Sequence, residues 1–117
     1  MITMGPLESR FADFIWNNEP ISRSEIASMA EQEFGWKRST SYTVLSRLCE
    51  RGIFQTTGKT VTSLISREEF YAQKSEKFLE ETFDGSLPAF LVSFGSRNKL
   101  TDEEVEELKK VIDGLRR

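Results

Sequence analysis

Residues 37–51, KRSTSYTVLSRLCER, gather the side chains best suited to surface chemistry. Read with a helical period, Ser41, Val44, Leu45, Leu48 and Cys49 share one face. Ser39, Tyr42, Thr43, Ser46, Arg47 and Glu50 share the opposite face. Short hydroxyls let a helix come close to a polar surface, and an arginine among them can grip it. Lys37 and Arg38 stand at the helix start, where the backbone dipole also favours anions. A helix with this outer face suits the major groove of DNA, whose base edges are read from the helix's early turns. Ser39, Thr40, Tyr42 and Thr43 then offer close hydrogen-bonding groups, and Arg47, one turn on, is placed for a guanine edge or a phosphate.

Other chemistries find little material. The 117-residue chain has no histidine and one cysteine, Cys49, so no internal disulfide can form. The commonest metal ligand and general base is missing, and one thiol builds no thiolate metal cage. We therefore expect no metal site, no cofactor and no enzyme. Cys49 reads as a small core residue, and Trp16 and Trp36 as packing residues. Asp102 to Glu107 reads as a solvated face matched to a helix dipole.

The net charge of −3 is unusual for a nucleic-acid binder, but it is unevenly spread. Residues 1–65 carry seven basic and seven acidic side chains, net zero, and residues 66–117 carry nine and twelve, net −3. Within the first part, residues 36–65 hold five basic groups against Glu50 alone, net +4. Local charge decides whether a face can approach phosphates.

The elements that must position these residues follow from apolar spacing and punctuation. Leu7, Phe11, Phe14 and Ile15 mark a first helix, with Pro6 at its start and Asn17 to Pro20 ending it. Ser22 with Glu25 opens a second helix, which Gly35 closes. The basic helix follows, ending at Gly52. Residues 53–65, IFQTTGKTVTSLI, read as two strands around Gly58-Lys59, a hairpin with Lys59 at its tip. Ser66 with Glu69 opens a further helix carrying Tyr71, Phe78, Leu79 and Phe83. Leu87, Phe90, Leu91 and Phe94 mark a short helix, and Thr101 with Glu104 caps a last one. In that last helix Val105, Leu108, Ile112 and Leu115 are spaced like a coiled-coil seam.

Three helices and a hairpin, in that order, form a winged helix-turn-helix. The expected fold is mainly α with a small β-hairpin: a winged helix over 1–65 and a three-helix dimerisation domain over 66–117. One such module offers about 4–5 phosphate-neutralising groups, and non-specific affinity at that level is roughly 10⁻⁴ to 10⁻⁶ M. Useful affinity needs two copies on two half-sites. The second part supplies a reason for two copies. About 50 residues in three short helices make a poor core alone. Leu79, Phe83, Leu87, Phe90, Leu91, Phe94, Val105, Leu108 and Ile112 are the expected dimer interface. The longest near-apolar run, Leu87 to Phe94, is too short to cross a bilayer. With no N-terminal leader pattern, a cytoplasmic protein without membrane insertion is expected.

The run Trp36–Gly52 resembles the W-S-P-x-T-[V/I]-x-T-x-L-x-R-L-x-x-K-G signature of the BlaI/MecI/CopY penicillinase-repressor family. Trp36, Thr40, Thr43, Leu45, Arg47, Leu48 and Gly52 match it. Residues 83–94 and 100–112 are similar to two further family patterns, so the resemblance runs along nearly the whole chain. It implies a homodimeric repressor on a palindromic operator in double-stranded DNA, with Thr40, Tyr42, Thr43 and Arg47 facing the groove. In the β-lactam-responsive branch a membrane-bound sensor protease cuts before a Phe in the short dimerisation helix. The matching bond here is Ser93-Phe94. The family's Ser-Pro is Lys37-Arg38 in this chain, which removes an N-cap typically worth ~1 kcal/mol and adds two charges. Ser9 stands where many members have Trp. The C-x-C pair of the copper-responsive branch is absent. A second reading is a winged-helix protein–protein interaction module without DNA affinity, which fits the overall acidity.

Overall fold

A computed structural model describes residues 4–117. Helix α1 (Pro6–Asn18) starts on Pro6, whose missing N–H would have had no partner in a first turn. It buries Phe11, Ala12 and Ile15. Strand β1 (Ile21–Ser22) follows, and Ser22 also caps α2 (Arg23–Phe34) by accepting from the Glu25 N–H at 3.1 Å. Gly35 ends α2 in a left-handed conformation at φ 71°, its N–H bonded back to the last turn. Helix α3 (Arg38–Glu50) buries Ser41, Val44, Leu45 and Leu48, the face its spacing requires. Strands β2 (Phe54–Thr57) and β3 (Thr60–Ser63) turn around Gly58 at φ 64°. Then come α4 (Arg67–Phe83), α5 (Leu87–Gly95) and α6 (Asp102–Gly114).

The expected hairpin is part of a three-stranded sheet. β1 pairs with β3, giving the antiparallel order β1-β3-β2, with Ile21 opposite Val61 and Phe54 opposite Ser63. Two residues are too few to show a period-2 pattern, so β1 has no sequence signal of its own. It ties the start of α2 to the hairpin. The Arg23 N–H extends that tie by donating to the Lys59 carbonyl at 2.9 Å.

Contacts cluster into two units that divide between Ser75 and Glu76, inside α4. The first half of α4 packs on the winged helix. Phe70 is 2% exposed and lies 5.7 Å from Trp16, which also packs at a tilt against Phe54 at 5.2 Å. The Trp16 indole N–H donates to the Ile65 carbonyl at 3.0 Å. Arg67 Nε donates to Asp13 at 2.8 Å while its guanidinium covers the Tyr71 ring, and Asp13 raises the Arg67 pKa. Trp36 packs against Phe34 and Phe11 at 4.9 and 5.5 Å. Both tryptophans are packing residues. Cys49 sits half-buried at the edge of this core, its sulfur 3.8 Å from the Thr56 hydroxyl.

Candidate nucleic-acid interface

α3 is held against α2 and β2 by Val44, Leu45 and Leu48, which fixes its opposite side outward. Ser39, Thr40, Thr43, Ser46 and Arg47 are exposed there, and Tyr42 is half-buried on the flank. Lys37 occupies the N-cap position, and its exposed ammonium, a donor only, makes no capping bond. The Thr43 hydroxyl donates back to the Ser39 carbonyl at 2.9 Å. That leaves its oxygen to accept and its methyl to make apolar contact. Lys59 is exposed at the hairpin turn. These residues form one α3 face with a wing beside it.

Arg38 is less free than its position suggests. Its guanidinium donates to the Ser24 hydroxyl at 3.1 Å, to Tyr42 Oη at 3.3 Å and to the Ser28 hydroxyl at 3.4 Å. Arg23 covers the Tyr42 ring at 5.6 Å. Two arginines thus hold Tyr42 on the flank of α3 that faces the start of α2. A cleft of about 420 Å³ opens beside it, lined by Arg23, Tyr42, Ser46, Cys49, Glu50 and Thr56. On the other flank, Arg47 Nη1 lies 3.8 Å from Glu8 Oε1, and Arg51 Nη1 lies 3.7 Å from Glu8 Oε2. The face therefore presents hydroxyls in the middle and arginines on both edges, an arrangement suited to base edges flanked by phosphates.

The family model described as Penicillinase repressor matches residues 4–114. The chain belongs to the penicillinase repressor family. That is a family of DNA-binding transcriptional regulators rather than enzymes, and the chain is a repressor of that kind. Among curated relatives, the penicillinase repressor of Bacillus licheniformis is 25% identical over 103 residues, 85% of this chain and 80% of that protein. The methicillin resistance regulatory protein MecI of Staphylococcus aureus (strain Mu50 / ATCC 700699) is 23% identical over 115 residues, 91% of this chain and 89% of that one. A penicillinase repressor of Staphylococcus aureus is 20% identical over 107 residues, 88% of this chain and 85% of that one.

On this repressor's winged helix, the residues expected to meet DNA lie on α3 and the hairpin turn. The structure adds partners that the sequence did not single out. Arg51 had a local signal, since it lies one turn after Arg47. Glu8, Arg23, Ser24 and Ser28 had none, because packing of other elements brings them to α3.

The second unit carries the expected dimer residues. Phe78, Phe83 and Phe90 form an edge-to-face triad with centroids 5.7 to 6.1 Å apart, and Phe94 joins it at 6.3 Å from Phe90. Phe83, Phe90, Leu79, Leu91, Val105 and Leu108 are half-buried within the unit. Leu87, Phe94 and Ile112 stay open at 42%, 45% and 47% exposure. Val92 and Val111 are more exposed still, at 76% and 54%, and were not among the expected set. Among the described residues, none from Glu76 to Arg117 is fully buried. An apolar groove of about 610 Å³ runs between α5 and α6, lined by Phe90, Leu91, Phe94, Leu100, Leu108 and Val111. Thr101 and Glu104 form a reciprocal capping box at the start of α6. Ser93 and Phe94 lie inside α5.

Among the described residues, no group of His, Cys, Asp and Glu is placed to hold a metal ion, and no helix is long and apolar enough to cross a membrane.

Proposed function

We propose that two copies of this repressor bind a palindromic operator, each laying α3 in the major groove of one half-site. The observation that carries this reading is the α3 face itself. Exposed Ser39, Thr40 and Thr43 lie between Arg38 with Tyr42 on one edge and Arg47 on the other. Lys37 lies at the helix start, and Lys59 stands on the adjoining hairpin. Arg47 reads a base edge, the hydroxyls and Tyr42 read or fit neighbouring bases, and Lys37, Arg38 and Lys59 hold phosphates. Half-sites then lie about one helical turn, or a multiple of it, apart.

The second unit pairs the copies. Its triad closes the interior only in part, Phe78 being 47% exposed, and Leu87, Phe94, Ile112 and their neighbours remain for a partner. A unit without a fully buried residue gains its core by association. Cutting at Ser93-Phe94 by a membrane-bound sensor protease relieves repression by detaching Phe94 and α6 from the pair. Because that bond lies within a helical turn, α5 must unwind before it is cut.

Fluorescence anisotropy against a fixed library of palindromic duplexes, at 50 and 200 mM salt, tests the DNA reading. One palindrome is selected, and its affinity falls about 10³-fold or more between the two salts. A protein that ignores every duplex at low salt leaves the protein–protein module standing instead.

A further inference from the structure

We propose that Glu8, on α1, determines specificity by restraining Arg47 and Arg51 and limiting their attraction to phosphate on any sequence. The inference rests on the reading of α3 as the DNA-contacting helix. Glu8 belongs to neither that helix nor the wing. Its first-turn position suits the α1 dipole, which alone explains an acid there. The dipole does not explain the geometry. Each carboxylate oxygen faces one guanidinium, at 3.8 Å for Arg47 and 3.7 Å for Arg51. The Glu8 side chain is 24% exposed, against 54% and 39% for the two arginines, so the acid is the inner member of the group.

Arg47 and Arg51 are four residues apart on one helix face and repel each other there. One carboxylate between them reduces their joint charge from +2 to +1. A phosphate that approaches this flank meets a nearby anion and must compete with it. A guanine edge offers two acceptors in a fixed geometry and gains from a guanidinium already held near its place. Glu8 therefore weakens backbone contacts on all sequences and weakens the matched base contact much less. Affinity falls slightly and the ratio of specific to non-specific binding rises, the quantity on which operator choice depends.

The test compares Glu8→Gln with Glu33→Gln in the full-length protein. Glu33 lies 3.8 Å from Arg10 and makes no ion pair with α3, so the control removes the same charge from the same unit. Each variant is titrated by anisotropy against the selected palindrome and a scrambled duplex over a salt series, with thermal unfolding as a check on the fold. Glu8→Gln adds about one neutralising charge per chain, two per dimer, which steepens the log–log salt slope by ~1.8 and strengthens scrambled-duplex binding about sixtyfold at 0.1 M relative to 1 M salt. Affinity for the palindrome changes less than about twofold, so specificity falls about thirtyfold on the same comparison. Glu33→Gln shifts both duplexes equally and weakly. Adding Arg47→Ala to Glu8→Gln removes most of the gain. Equal effects of Glu8→Gln and Glu33→Gln, or an unchanged specificity ratio in Glu8→Gln, overturn the inference while leaving the α3 reading intact. A wild-type protein that binds no duplex overturns the α3 reading, and this inference with it.

Discussion

Glu19 ties the end of α1 to the wing, and its removal has a calculable cost. Its Oε1 accepts from the Ser63 backbone N–H at 2.9 Å, and its two oxygens accept from the Ser63 hydroxyl at 2.9 and 2.8 Å. Ser63 ends β3, opposite Phe54, so this carboxylate fixes the base of the hairpin against the core. Hydrogen bonds to a charged group contribute about 1.5–3 kcal/mol each. Two donors are served here. The site is half-buried, so water recovers part of the loss, and Glu19→Ala should cost about 2 kcal/mol in total. In a domain of this size that lowers the melting temperature by roughly 8–16 °C. Glu19→Gln keeps an acceptor without the charge and should lose about half as much, since charge-assisted bonds are roughly twice as strong. Urea unfolding followed by the fluorescence of Trp16 and Trp36 reads both values, with a shifted midpoint and an unchanged slope. A loss below about 0.5 kcal/mol for Ala, the range of an ordinary surface change, refutes the anchor. A Gln variant as unstable as Ala refutes the charge-assisted part.

Further outcomes follow from the same geometry. Arg47→Ala should cost about 1–3 kcal/mol on the operator and relax preference at one base pair, read by anisotropy on single-substituted duplexes. A uniform loss on all sequences would assign Arg47 to phosphate instead. Ile112→Asp places a charge on an open position of α6 and should give monomers with unchanged helix content in analytical ultracentrifugation. A dimer that survives this change does not use Ile112. Thr101→Ala should weaken α6 by ~1 kcal/mol through the lost cap, measured as reduced helicity on heating. Bonds from the Thr101 backbone and side chain lower the Glu104 pKa below its unfolded value. Its contribution is therefore complete above the ordinary carboxylate range and lost as pH falls through the lowered pKa. In Thr101→Ala the acid side of the stability curve should lose part of that dependence.

Local patterns carried much of the fold, and long-range packing supplied what they did not. Ser22, Thr101, Gly35 and Gly58 act within a few residues of themselves, so their caps and turns were legible. The core face of α3 was legible for the same reason, since Val44, Leu45 and Leu48 recur at helical spacing. β1 was not, because Ile21 and Ser22 become a strand only when β3 lies beside them. The division of α4 was also hidden. Tyr71 and Phe78 read as one stripe, yet Tyr71 packs beside Trp16 and Phe78 joins the triad of the second unit. At the candidate interface, residue types and helix position were legible from the signature around Trp36–Gly52. The restraints on them were not. Arg38 reaches Ser24 and Ser28, and Arg47 reaches Glu8, through the packing of α2 and α1 against α3, which no local spacing encodes.

The central claim is that two copies read two half-sites. The mass of the complex by sedimentation equilibrium, on the palindrome selected in the binding assay, tests it most directly. The account predicts two chains per palindromic duplex, and a dimer that loses most of its affinity on a duplex carrying a single half-site. One chain on the full palindrome, or a dimer that forms no complex at low salt, would contradict it.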